Sequence, residues 1–311
     1  MKKSVGVLLL AAALVGNLGV RAAETAPAKP SGKVRILTVG NSGSICRGWH
    51  DLLAEMLVEG GYTESVDLVA AVSAGKSLTW HAKDGVALKW IKGEPRGTRK
   101  GAEERVAKAR DRVAAEPKSH DAKRALRAAE SGLAQFDKPG WDYVLMIPMA
   151  EDYSASDEEF ARVIKGFTEP AIERGAKPIV WMGRGGQENV KRYMPLAKTL
   201  GFQLAPVTFA RYLAGIYRHE GTPQYRIPER TSMGDPGGHP NGPNCYVFAC
   251  TLYAAITGKS PEGLKSPVDP EARARFAADN ETALTDEQAL KLQRAAWQAI
   301  EEYRKQEQAQ P

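Results

Sequence analysis

Val34-Arg35-Ile36-Leu37-Thr38-Val39-Gly40-Asn41-Ser42-Gly43 is the stretch on which the reading of the fold depends. The apolar run Val34 to Val39 reads as a buried strand. Gly40 and Asn41 break it, and a helical pattern follows from Trp49 to Glu59. A strand, a turn and then a helix leave Ser42 on the turn itself. That position exposes its hydroxyl above the sheet edge and aims the N–H groups of the following helix at whatever the hydroxyl meets.

The same alternation repeats along the chain. Ser65 to Val72, Tyr143 to Pro148 and Pro178 to Met182 read as further strands, with Phe202 to Val207 a short fifth. Helical patterns stand at Ala82 to Lys92, Asp157 to Arg174, Glu188 to Leu200, Asn244 to Thr257 and Asp286 to Gln306. Thr285 with Gln288 is a capping-box start for the last of these, and Leu290, Ala296, Trp297 and Ile300 lie along one apolar face of it. Strands alternating with helices predict an α/β fold. The expected form is a three-layer α/β/α sandwich with a mainly parallel sheet, flavodoxin-like in outline. Ligands on such sheets bind outside the carboxyl ends of the strands, where Ser42 and Gly75 are expected.

Residues 97–135 have no place in that plan. They are rich in Ala, Lys, Arg and Glu, with Val106, Ala109 and Val113, then Ala122, Leu126, Ala129 and Leu133, at helical spacing. Pro117, with Ser119 to Asp121 after it, divides them into an inserted helical hairpin. The apolar stripes are thin, as in an arm that packs mostly on itself. A solvated spacer is the plainer reading; a cover for a cleft or a surface for self-association is the other.

Far along the chain, Gly234-Asp235-Pro236-Gly237-Gly238-His239-Pro240-Asn241 sets a histidine after an aspartate, just ahead of the helical run at Asn244. An unassisted serine hydroxyl is a poor nucleophile at neutral pH. It needs a neutral imidazole within hydrogen-bond reach, and the imidazole needs an acceptor on its other nitrogen. Ser42, His239 and Asp235 are thus a candidate nucleophile, general base and orienting acid. Each also has a plainer role: Ser42 as a helix N-cap, His239 as a turn residue before Pro240, Asp235 as a turn-forming Asx residue.

In order and spacing these segments resemble the SGNH (GDSL-like) hydrolase superfamily, over most of the chain. Gly40-Asn41-Ser42 is similar to the family's first-strand serine motif, and His239-Pro240-Asn241 to the flank of its late Asp-x-x-His motif. Ser73-Ala74-Gly75-Lys76-Ser77-Leu78 with His81 resembles the segment carrying the family's second glycine. Trp141 to Leu145 looks like its third strand, and Cys245 to Pro261 like the helix after the histidine in secreted bacterial members. The resemblance implies a cofactor-free serine esterase that forms an acyl-enzyme on a small-molecule or carbohydrate ester. An acyltransferase, or a noncatalytic carbohydrate- or partner-binding descendant, would share the frame. The resemblance also implies the backbone N–H groups of Ser42 and Gly75 as oxyanion donors. His81, just after the Gly75 segment, reads as a substrate-lining residue of the cleft or, more plainly, as a capping or packing residue near a helix start.

Two departures stand out. The family's acid falls three residues before the histidine, where this chain has Pro236; Gly237 and Gly238 give Asp235 the freedom to reach the ring from one residue further back. The family's Gly-x-Asn-Asp motif after the third strand is replaced by Ile147-Pro148-Met149-Ala150-Glu151-Asp152-Tyr153. Without that asparagine, Asn41 is the candidate for the remaining donor. An α/β-hydrolase elbow fits less well, because Ser44 stands where its second glycine would be.

Met1-Lys2-Lys3, an apolar stretch from Val5 to Val15 and small residues around Ala22 read as a signal peptide over residues 1–22. Secretion or a periplasmic location is expected, with no stable membrane insertion after cleavage. A flexible lead-in over 23–32, one domain over 33–306 and a disordered tail at 307–311 complete the plan. The net charge of +6 is spread through mixed-charge segments, which argues against a nucleic-acid partner. The five histidines are scattered and the three cysteines fit no zinc spacing, so no metal is expected. Cys46, Cys245 and Cys250 read as buried thiols; the resemblance, by bringing the serine and histidine turns together, implies Cys46 to Cys245 as a disulfide. Gly183 to Gly186 lacks the lysine and spacing of a phosphate-binding loop. Trp80, Trp141 and Trp181 read as core residues or sugar-stacking surfaces, and His50 as a helix-surface residue.

Overall fold

A computed structural model of the protein describes residues 32–41, 48–95, 97–137, 140–182, 187–216, 242–265 and 284–309. Strands β1 (Lys33–Gly40), β2 (Ser65–Val72), β3 (Tyr143–Met146), β4 (Lys177–Trp181) and β5 (Gln203–Ala205) form a parallel sheet in the order β2-β1-β3-β4-β5. The helices ahead of β3 are α1 (Trp49–Glu59), α2 (Leu78–Asp84), α3 (Val86–Ile91), α4 (Arg99–Ala115) and α5 (His120–Ala134). After it come α6 (Ala150–Ser154), α7 (Asp157–Glu173), α8 (Gln187–Leu200), α9 (Val207–Leu213), α10 (Gly242–Thr257) and α11 (Asp286–Ala309).

The period of two along each strand divides the side chains between two cores. Val34, Ile36, Tyr143, Leu145, Ile179 and Trp181 pack with α1, α9, α10 and α11. Leu37, Val39, Val144, Met146 and Val180 pack on the opposite face with α2, α3, α7 and α8. The fold is therefore the three-layer α/β/α sandwich that the alternation predicts.

The departures from expectation have local causes. Gly85, at φ 74°, ends α2 and starts α3, so the helix expected over 82–92 is two. α2 starts earlier, at Leu78, because the Ser77 hydroxyl caps it by accepting from the Trp80 N–H at 3.2 Å. β3 and β5 stop short of Pro148 and Pro206, which have no N–H for a ladder. α11 starts at the expected capping box, with Gln288 and Thr285 exchanging hydrogen bonds at 2.9 and 3.2 Å. It continues to Ala309, past the expected boundary at 306, since Gln306 to Ala309 are all tolerated in a helix. Its buried stripe runs through Ala289, Leu292, Ala296, Ala299 and Tyr303, so Leu290 and Trp297 lie at the margin.

α4 and α5 form the inserted hairpin, held across by Arg110 and Glu130 at 3.1 Å. It is more than a spacer. α5 packs on the edge strand β2, where the Ser131 hydroxyl donates to Asp67 at 2.9 Å. Asp67 is paired in register with Arg35, and both charges are buried. The Arg35 guanidinium donates to Asp67 at 3.3 Å and to the Gly140 carbonyl at 2.8 Å, and lies 4.7 Å from the Trp141 ring centre. Asp142 closes the cluster by accepting from the Arg35 N–H at 2.7 Å. All of this belongs to the amino edge of the sheet. Among the described residues, no helix is long and apolar enough to cross a membrane.

Candidate active site

In the order β2-β1-β3-β4-β5 the chain reverses its winding direction between β1 and β3, and the crevice outside the carboxyl ends there is the natural ligand site. β1 ends in that crevice at Gly40, followed by the half-buried Asn41. Ser42, Cys46, Asp235 and His239 lie outside the described residues, as does the segment Gly183 to Gly186.

The helices that follow the serine and histidine segments run side by side in one direction. α1 starts with Trp49 edge-on to Trp181, at the carboxyl end of β4, with ring centres 5.5 Å apart. It ends at Gly60, which lies against the Tyr253 ring. α10 passes Phe248 against the same Trp181, ring centres 4.4 Å apart. Further on, the Ala255 carbonyl accepts from the side chain of Gln203, the first residue of β5, at 3.0 Å. Both helices therefore begin at the carboxyl edge and end at the amino edge. Near its start α10 is tied to α9, where Arg211 donates to the Asn244 amide oxygen at 2.5 Å, both residues being buried.

On the other face, β2 leads into the turn Ser73 to Ser77. Gly75 sits there at φ 65°, left-handed backbone that suits glycine, and Lys76 N–H closes the turn onto the Ser73 carbonyl at 3.1 Å. Ala74, Gly75 and Lys76 are all exposed. α2 follows directly and is fastened at two points. His81, 3% exposed, has Nε2 2.7 Å from the Gly40 carbonyl oxygen. A carbonyl only accepts, so Nε2 carries the proton and donates. Ser73 N–H reaches the same oxygen at 3.2 Å. His81 thus binds the end of the strand that leads to Ser42.

The second fastening comes from Asp152, which the sequence reading did not single out. Its carboxylate, 3% exposed, accepts from the Leu78 N–H at 2.9 Å, the Thr79 N–H at 3.1 Å, the Thr79 hydroxyl at 3.0 Å and the Met149 N–H at 2.8 Å. Four donors satisfy a carboxylate whose burial would otherwise be costly, and two of them are orphan N–H groups at a helix start. The sequence signal was a pair of adjacent acids after the third strand, Glu151 and Asp152, and nothing local says which of them is buried or which helix it holds.

Trp141 and Trp181 are core residues, each 5% exposed, while Trp80 is half-buried. His50 is half-buried rather than on the helix surface, its Nε2 3.3 Å from the hydroxyl of the fully buried Thr38. Cys245 and Cys250 are both buried, and Cys46, the other member of the expected pairing with Cys245, lies outside the described residues. Cys245 lies in α10, where every position from Gly242 to Thr257 except Pro243 is buried. Among the described residues, no group of three His, Cys, Asp or Glu side chains is arranged to hold a metal ion.

No family profile matches the chain, and no curated protein matches it. Among solved structures, one described as "a putative SGNH hydrolase from Slackia heliotrinireducens" is 19% identical, with 72% of this chain and 99% of that chain covered and a TM-score of 0.41. A likeness of that size assigns no residue a role.

Proposed function

We propose that this protein is a serine hydrolase of the SGNH type that cleaves an ester or acetyl group, with carbohydrate esters as the substrate class to test first. The supporting observation is the shared carboxyl edge. The strand end before Ser42, the turn carrying Gly75, and the start of α10 three residues after His239 all belong to it. In this reading Ser42 Oγ attacks the acyl carbonyl as His239 takes its proton, and Asp235 holds the imidazole in the productive tautomer. The carbonyl oxygen becomes an oxyanion facing the N–H groups of Ser42 and Gly75, each donor being worth about 3 kcal/mol of barrier. Collapse breaks the ester bond, and His239 returns the proton to the leaving alcohol. Water, activated by the same imidazole, then releases the acid and regenerates Ser42. Removal of residues 1–22 and export are part of the proposal.

The test is turnover of p-nitrophenyl acetate and labelling by a fluorophosphonate probe. The expected result is hydrolysis and one labelled serine, both lost in Ser42→Ala, with turnover also lost in His239→Ala. Transfer to added alcohols in excess of hydrolysis would make the protein an acyltransferase. Absence of both turnover and label would favour a binding protein, a reading that the Pro236 position and the missing asparagine motivate.

A further inference from the structure

We propose that Asp152 and His81 are positioning residues for the oxyanion hole, fixing the turn that carries Gly75 against the strand end that leads to Ser42; this rests on the serine-hydrolase reading above. An oxyanion donor acts only if it is already in place when charge develops. The Gly75 turn has little packing of its own to keep it in place. Ala74, Gly75 and Lys76 are exposed, and nothing lies within 4 Å of where a Cβ on Gly75 would stand. Its position is inherited from what it is joined to.

One side of the turn is Ser73, whose N–H is bonded to the Gly40 carbonyl at 3.2 Å. The other side is α2, which is bolted twice. Asp152 holds its first turn through Leu78 and Thr79 and also holds the β3 to α6 connection through the Met149 N–H. His81 holds α2 one turn later, at 2.7 Å from the Gly40 carbonyl oxygen. The two bolts make α2 a rigid spacer between the end of β1 and the Gly75 turn. In place of an asparagine that would touch the oxyanion, the segment after β3 supplies a carboxylate that acts through the turn. Neither Asp152 nor His81 has to touch substrate for this.

The experiment compares the full chain with Asp152→Asn, Thr79→Val, His81→Ala and His81→Gln, measuring kcat and KM on p-nitrophenyl acetate, the rate of fluorophosphonate labelling, and the thermal midpoint. Asp152→Asn puts an amide nitrogen among N–H donors and releases the turn. The expected result is a fall in kcat of about 100-fold, the loss that a displacement of about 1 Å can cause, with KM little changed and labelling slowed in parallel. Thr79→Val removes one hydroxyl donor and leaves both main-chain bonds, so a smaller fall in the same parameter is expected with an unchanged midpoint. His81→Ala should lower kcat, and His81→Gln, whose amide can donate to the same carbonyl, should restore most of it. Equal kcat in Asp152→Asn, Thr79→Val and the parent would overturn the proposal while leaving the hydrolase reading intact. Losses that appear in KM, or that follow the thermal midpoint equally in His81→Gln and His81→Ala, would overturn it as well. A parent without turnover or label would instead remove the hydrolase reading, and this proposal with it.

Discussion

At the amino edge of the sheet, Arg35, Asp67, Asp142 and Ser131 close on one another; at the carboxyl edge, Asp152 and His81 direct their hydrogen bonds at the main chain of neighbouring segments. The first arrangement is a buried charge cluster that compensates itself, with Lys33 adding a second cation 3.8 Å from Asp67. The second uses charged and polar side chains to set the course of a strand end and an exposed turn. The same residue types therefore serve stability at one edge and loop placement at the other. Substitutions at the two edges should separate accordingly: loss of folding free energy with kcat per folded molecule intact at one, loss of kcat per folded molecule at the other.

Asp67→Ala is the strongest way to break the distinction. It leaves the buried Arg35 guanidinium without its carboxylate, and removing one partner of a buried pair costs about 3–5 kcal/mol. Urea unfolding should show that loss, while kcat per folded molecule stays at the parent value. A large fall in kcat per folded molecule would mean that the two edges are coupled through the sheet.

Gly60→Ala probes the amino end of the α1 and α10 layer. Gly60 has φ −68°, so its backbone would accept alanine, but a Cβ there would run into the Tyr253 ring and hydroxyl. Overpacking of this kind costs about 1–3 kcal/mol. The expected readout is a lower thermal midpoint with the denaturant slope unchanged. Gly60→Ala paired with Tyr253→Phe tests whether the hydroxyl is the obstacle, since that double variant should recover part of the loss.

Ser131→Ala sharpens the comparison from the side of the hairpin. The hydroxyl is one of several donors to Asp67, and its removal should cost about 1 kcal/mol. That small loss would mark the hairpin as a cover for the edge strand. A loss as large as that of Asp67→Ala would instead make α5 an integral part of the ionic cluster.

The parts of this molecule that were legible in the sequence are those with a local period. Five strands, the hairpin broken near Pro117 and the capping box at Thr285 each follow from spacing or a short motif. The Gly75 turn and the end of β1 were legible as punctuation after apolar runs. What escaped was pairwise and distant. Arg35 and Asp67 sit inside runs that look apolar, and only the strand register makes them partners, 32 residues apart. Asp152 meets α2 across 74 residues, and no local pattern distinguishes it from Glu151 beside it. The site divides in the same way: Gly75, Asn41 and His81 are at the carboxyl edge, whereas Ser42, His239 and Asp235 lie outside the described residues.

Cys250 stands between the two edges, in the middle of α10, and gives the smallest effect at neutral pH. The residue is fully buried, and burial pushes its thiol above the ordinary value of 9.0, with the Tyr246 hydrogen bond opposing in part. A thiol whose pKa is raised by folding contributes nothing to pH dependence while both folded and unfolded chains hold the proton. Above about 9 the unfolded chain begins to release it and the folded chain does not, so stability should fall with rising pH there. In Cys250→Ala that part of the alkaline decline should vanish, although the small cavity lowers stability uniformly. Under native conditions at pH 8, a thiol reagent should leave Cys250 unmodified, because the thiolate is the nucleophile and the layer excludes both charge and reagent. Modification should become complete on unfolding. Rapid native modification would show that the α1 and α10 layer opens locally, and the two edges could then no longer be treated as separate parts of one rigid sandwich.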